Sequence, residues 1–143
     1  DSLAPLGGVY QAGTLSGNPV AMEAGWQALK RLRNSSVYEE LEEKTNIITK
    51  PLKEVFAKRN INACVQQVGS MFTIFFGRKG VSNFDEAKTL DLEKFKQFFI
   101  AMKDKGIYFS PSQFETNFVS LSHIEEHLEK VRDTLLEWID LNA

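Results

Sequence analysis

The chain has 143 residues, 43% of them hydrophobic and 25% charged, with a formal net charge of −2. That length suffices for one domain with a sizeable core, and the charge balance excludes a disordered tail or a global field that would draw nucleic acid or an anionic membrane. A single cysteine, Cys64, excludes an internal disulfide and any multi-cysteine metal site, and no apolar run approaches the roughly 20 residues that span a bilayer. The first residues carry neither the basic nor the apolar region of a signal peptide, so the chain reads as cytoplasmic in type. It does not begin with Met and enters directly in loop-like sequence, so it is expected to be a segment of a longer protein.

The stretch from Val9 to Pro19 starts as an irregular loop and ends as a helix start, with Asn18 as N-cap and Pro19 at the first helical position. Gly13, Thr14, Ser16 and Gly17 let backbone N–H groups point outward ahead of that helix. Such a loop suits a phosphate or carboxylate, although plain turn chemistry accounts for the same residues. The helix sets small residues (Ala21, Ala24, Gly25, Ala28) on one side and large ones (Met22, Trp26, Leu29, Leu32) on another. Tight packing within a subunit and a contact between subunits both fit that pattern. It is expected to stop near Asn34.

Ser36 and Glu39 fit a capping box opening a long amphipathic helix with Leu41, Ile48, Leu52, Val55 and Phe56 inward. Pro51 predicts a kink within one helix, and the face bearing Glu39, Glu40, Glu42, Glu43 and Lys44 reads as solvated. Residues 61–68 and 71–76 read as strands joined by Gly69-Ser70, and residues 77–88 as a loop. Asp91 caps a helix running to about Lys105, with Leu92, Phe95, Phe98, Phe99 and Met102 facing the core and Gly106 as its stop. Residues 107–109 and 118–121 read as short strands around a loop over 110–115. Ser122 and Glu125 fit a second capping box, opening a terminal helix with Ile124, Leu128, Val131, Leu135, Trp138 and Ile139 inward. The pattern predicts an α+β fold: a small, mostly antiparallel sheet with helices packed on one face. Residues 1–34 form a connecting loop and bridging helix outside that layer, and 35–143 form the domain itself.

Little here carries chemistry unaided. His123 and His127 are four apart on one helix, but no third ligand accompanies them, and they read as surface or cap residues. Cys64 lies in an apolar strand and reads as a small buried hydrophobe with nothing basic nearby to activate it. No nucleophilic triad can be assembled. Glu115, in a loop between two apolar strands, fits either a solvated acid or a carboxylate projecting into a cleft.

Two motifs add a resemblance. Tyr10-Gln11-Ala12-Gly13-Thr14-Leu15-Ser16-Gly17-Asn18-Pro19, followed by Val20-Ala21-Met22, resembles the class III aminotransferase branch of fold-type I pyridoxal-phosphate (PLP) enzymes. Gly106-Ile107-Tyr108-Phe109-Ser110-Pro111-Ser112-Gln113-Phe114-Glu115 is similar to the C-terminal signature of the glutamate-1-semialdehyde 2,1-aminomutase family, a block that other class III aminotransferases generally lack. The similarity runs along nearly the whole chain, including Gly69-Ser70-Met71-Phe72.

The resemblance implies a homodimeric enzyme of which this chain is the last third: the smaller C-terminal α+β domain, with the loop and helix that lead into it. Gly13 and Thr14 would bind the PLP phosphate of the other subunit, and Tyr10 would lie near that partner site. Glu115 would face cofactor and substrate, where its charge favours an ammonium group. The implied reaction is an intramolecular amino exchange that uses PLP and pyridoxamine phosphate to turn glutamate-1-semialdehyde into 5-aminolevulinate, a tetrapyrrole precursor. The implied location is cytoplasmic, or the plastid stroma in a plant or alga. The family's Schiff-base lysine lies upstream of this segment, so the chain alone is expected to be inactive. Another class III aminotransferase acting on ω-amino acids, or a non-catalytic dimerisation module, are the alternatives that the residues leave open.

Overall fold

The computed structural model describes residues 1–142, and their contacts divide the chain into two compact units, Asp1–Val37 and Tyr38–Ala143.

In the first unit, Leu3 and Val9 meet in an isolated parallel bridge, with the Ala4 N–H donating to Val9 O at 2.9 Å. A turn over residues 14–17 then delivers the chain to α1 (Pro19–Leu32). Asn18 caps it as expected: its Oδ1 accepts the Ala21 N–H at 3.0 Å, and Pro19 takes the first helical position, where a missing donor costs nothing. No residue of α1 is buried. Its large apolar side chains Met22, Trp26, Leu29 and Leu32 all stand exposed.

Helix α2 (Ser35–Lys58) is one continuous helix through Pro51. The Ser36–Glu39 capping box does not form. Ser35 and Ser36 are already helical, and Asn34 starts the helix instead, its Oδ1 accepting the Ser36 N–H at 3.2 Å. Asn caps as well as Ser, and here it is met first. The inward stripe also carries two threonines absent from the predicted set. Thr45 and Thr49 are fully buried, their hydroxyls donating to Leu41 O at 2.7 Å and Thr45 O at 3.2 Å. Thr45 is thereby satisfied within the helix, while the Thr49 hydroxyl also lies 2.5 Å from Gln67 Oε1 on the neighbouring hairpin.

Strands β1 (Ala63–Val68) and β2 (Met71–Phe76) form the expected hairpin, pairing Ala63 with Phe76 and Val68 with Met71. Gly69 turns it at φ 55°, where a glycine costs least. Strand β3 (Asn117–Phe118) pairs antiparallel with β2, so the sheet runs β1-β2-β3.

One sheet face, with Ala63, Val65, Phe72, Ile74 and Phe76, packs against α2, α4 (Leu92–Asp104) and α5 (Glu125–Asn142). Phe98 and Trp138 sit at its centre, their rings 5.4 Å apart and both edge-on or tilted to Phe76. Asp91 caps α4, accepting the Lys94 N–H at 2.9 Å, and Gly106 ends it at φ 78°. The α+β layer is therefore as the periodicity implies.

The other face departs from the plain loop expected over 77–88. There Phe75 gathers Val81, Ala87 and Leu90 into a second, smaller core, with Cys64 partly buried against it. The segment includes a one-turn helix, α3 (Phe84–Ala87), capped by Asn83, whose Oδ1 accepts the Glu86 N–H at 2.9 Å. Arg78 knits the segment together, donating to Gly80 O and Thr89 Oγ1 and pairing with Glu86 at 3.6 Å.

Further expectations need correcting. Residues 107–109 are not a strand: Ile107 and Phe109 are buried and Tyr108 exposed, the alternation of a strand, but no ladder partner lies alongside. The last strand stops at Phe118, because the Ser120 N–H is taken by the His123 ring rather than by a neighbouring strand. The second capping box is also absent, α5 starting only at Glu125 and leaving Ile124, like Leu92 on α4, exposed. Lys44 is no solvated charge either. It donates to Leu121 O at 3.0 Å and His123 O at 2.9 Å, tying α2 to the turn before α5.

Candidate functional site

The sequence-derived site residues fall in both units. Tyr10, Gly13 and Thr14 belong to the first, and all three are exposed. Two overlapping turns shape their loop, the Ser16 N–H donating to Gly13 O at 3.1 Å and the Asn18 N–H to Leu15 O at 3.0 Å. At Gly13 a Cβ would stand 2.2 Å from Ser16 Oγ, the tip of an exposed side chain that can turn aside. Among the described residues nothing accepts the Thr14 N–H or hydroxyl. Those two donors, beside a capped helix start with no acid in its first turn, are the kind of neutral donor set that a phosphate takes. No Lys or Arg precedes Lys30, so the charge to balance a phosphate has to come from elsewhere. The residues present thus fit one end of a PLP phosphate, and not the whole cradle.

Glu115 lies in the second unit, in the loop between α4 and β3. That loop is closed at its base by Asn117, whose Oδ1 accepts the Ser110 N–H at 2.8 Å while its Nδ2 donates to Phe72 O on β2 at 3.3 Å. Ser112 forms the inner turn: its hydroxyl accepts the Phe114 N–H at 3.1 Å, and its carbonyl accepts the Glu115 N–H, also at 3.1 Å. Phe114 leans outward on Phe84 of α3, with ring centroids 5.9 Å apart. Gln113 points the other way and is buried to 1% exposure. Glu115 itself is exposed, and Ser110 Oγ donates to its Oε2 at 3.0 Å. Sequence reasoning passed over Ser110 and Asn117. Their only signal was that short polar residues bracket the loop, and such residues often bond to backbone at turns.

A cleft of about 400 Å³ runs along the outer side of the same loop, walled by Ile107, Phe109, Val119, Leu128 and Val131. Ser110, Pro111, Asn117, His123 and His127 reach its wall, and Glu115 does not. His123 Nδ1 accepts the Ser120 N–H at 3.0 Å, which places the proton of a neutral ring on Nε2. Cys64 is half-buried rather than buried. Burial pushes its thiol pKa up, and the Arg78 charge, which offsets only part of that, is a nearby cation the sequence did not reveal.

Residues 2–135 match the model of the class-III aminotransferases, and the chain belongs to that family. Within it, the chain is 47% identical over 98% of its length to a glutamate-1-semialdehyde 2,1-aminomutase of Protochlamydia amoebophila, covering 32% of that protein. It is 48% identical over 96% of its length to the enzyme of that name from Thermus thermophilus, and 45% over 96% to that of Aquifex aeolicus, covering 32% and 33% of them. The chain therefore spans about a third of the length of the relatives it matches. Its fold is also that of a solved ω-transaminase from Sphaerobacter thermophilus (TM-score 0.74, 21% identity) and a β-phenylalanine aminotransferase from Variovorax paradoxus (TM-score 0.77, 19% identity). Each superposition covers 96% of this chain and 32% of the other.

Proposed function

We propose that this chain is the C-terminal third of a PLP-dependent aminomutase that converts glutamate-1-semialdehyde to 5-aminolevulinate. The observation that carries the reading is 45–48% identity, across 96–98% of the chain, to proteins bearing the aminomutase name. In this reading residues 1–34 are the connecting loop and bridging helix, and 35–143 the C-terminal domain. PLP, when bound, supplies an electron sink and an amine carrier. The chain's own residues bind and orient. The Gly13-Thr14 loop holds the cofactor phosphate of a partner subunit, Thr14 donating N–H and hydroxyl hydrogen bonds to it, and Tyr10 lies beside that site. Glu115 offers a carboxylate to a substrate ammonium, a charge-assisted bond that favours an amine in that position. The enzyme works as a homodimer with shared active sites, in the cytoplasm or a plastid stroma.

The test is turnover of glutamate-1-semialdehyde by the complete protein that carries this chain, read as 5-aminolevulinate formed. Glu115→Gln is expected to lower turnover by about tenfold or more, because the bond to a charged group is lost, while bound cofactor stays at the level of the unmodified protein. Equal turnover in the two proteins would remove Glu115 from the site, and no 5-aminolevulinate from either would end the aminomutase reading.

A further inference from the structure

A carboxylate on an exposed loop has three free torsions and adopts many rotamers unless something holds it. Glu115 is held. Ser110 Oγ donates to its Oε2 at 3.0 Å, and Oε1 meets no donor among the described residues. Ser110 is itself half-buried, and its backbone N–H is fixed at 2.8 Å by the Asn117 side chain. Asn117 sits in β3 opposite Phe72, and its amide donates at 3.3 Å to the Phe72 carbonyl of β2. A continuous set of hydrogen bonds therefore runs from the central strand of the sheet, through Asn117 and Ser110, to one oxygen of Glu115.

We infer that Ser110, braced by Asn117, is a positioning residue that fixes the Glu115 carboxylate with one oxygen committed to the protein and the other presented to an incoming cation. The inference rests on the reading of Glu115 given above and adds to it the device that orients the group. Without the brace, the carboxylate has to find its geometry anew for each substrate molecule. With it, that ordering is already present in the folded protein. The Ser112 turn and the packing of Phe114 on Phe84 hold the loop backbone without reaching the carboxylate, so the loop keeps its shape when the Ser110 hydroxyl is removed.

The experiment is a double-mutant cycle on the complete protein, with kcat and KM measured separately. Ser110→Ala is expected to lower kcat/KM by about three- to tenfold, the range of one hydrogen bond, with cofactor content and Tm unchanged. Ser110→Thr, which keeps the hydroxyl, is expected to recover most of that loss. In a Glu115→Ala background, removing the Ser110 hydroxyl is expected to have no further effect. A merely structural serine gives the opposite pattern: a loss that multiplies with Glu115→Ala, accompanies a lower Tm and is not rescued by Thr. That pattern, or full activity in Ser110→Ala alongside an impaired Glu115→Ala, overturns the inference while leaving Glu115 in the site. Full activity in Glu115→Ala instead removes the reading on which the inference rests. Should Ser110→Ala fail to fold, Ser110→Cys keeps the shape with a weaker donor and carries the same expectations.

Discussion

Gln113 is 1% exposed, yet neither its amide nitrogen nor its amide oxygen meets a hydrogen-bond partner among the described residues. Burying such a group costs about 1–3 kcal/mol unless it is bonded, whereas the methylenes of the same side chain gain from burial. Gln113→Met keeps the length and flexibility of the side chain and removes both polar atoms. It is expected to stabilise the protein by about 1 kcal/mol, seen as a higher urea midpoint at unchanged slope. A lower midpoint would mean that the amide is bonded in solution. The buried threonines of α2 make the contrast, since both hydroxyls are bonded: Thr45 to a carbonyl one turn back, and Thr49 within reach of Thr45 O and of Gln67 Oε1. Their burial was legible from the spacing they share with Ile48 and Leu52, and was hidden only by their chemistry. Nothing in Ser112-Gln113-Phe114 marks Gln113 as the inward residue. Which side chain of a short loop turns inward depends on the surface beneath it, and no local pattern encodes that surface.

Among the elements, the end of β2 and the start of α4 meet backbone to backbone. Gly77 follows β2 at φ 96°, its N–H donating to Asn62 O at 2.7 Å, and the Asp91 N–H donates to Phe76 O at 2.9 Å. A Cβ on Gly77 would stand 2.9 Å from the Asp91 nitrogen, so Gly77→Ala adds a backbone clash to an unfavourable φ. The expected cost is about 2–4 kcal/mol. Gly69 is the control: its φ is 55° and a Cβ there meets nothing within 4 Å, so Gly69→Ala should cost only about 1–2 kcal/mol. Equal midpoints for the two variants in chemical denaturation would show that the contact with Asp91 gives way freely. The same elements show what a sequence can reveal. The hairpin was legible because two runs rich in Val, Ile and Phe meet at Gly69-Ser70, and α4 because a period-3.6 pattern runs from Asp91 to Gly106, residues with strong local preferences. Residues 107–109 are just as apolar and form no strand, because a ladder needs a neighbour that no local pattern encodes. Both capping boxes failed for a related reason. Asn34 and the Ser120–His123 turn offered equally good local bonds and took the backbone first.

For the molecule as a whole, the two units differ in how they are held. The second is built around a core in which Leu52, Phe98, Met102 and Leu135 are sealed from solvent, while α1 of the first buries no side chain. A 14-residue helix without packing is marginal in water, because nucleation is unfavourable and each added residue contributes little. Asn18, Pro19 and the basic residues of its last turn favour α1 locally, each by about 1 kcal/mol or less. Those preferences made α1 legible in the sequence. What lies against Met22, Trp26, Leu29 and Leu32 was not legible, because a helix pattern shows which side chains need cover and not what covers them. Hydrogen–deuterium exchange on this chain by itself should therefore be fast over 19–32 and slow over the centres of α2, α4 and α5. In a complete protein like the relatives, about two thirds of whose length lies outside this segment, α1 should gain protection of at least tenfold, about 1.4 kcal/mol. Equal protection of α1 in both samples would mean that the helix draws its stability from residues of this chain, and that its apolar face needs no cover from the rest of the complete protein.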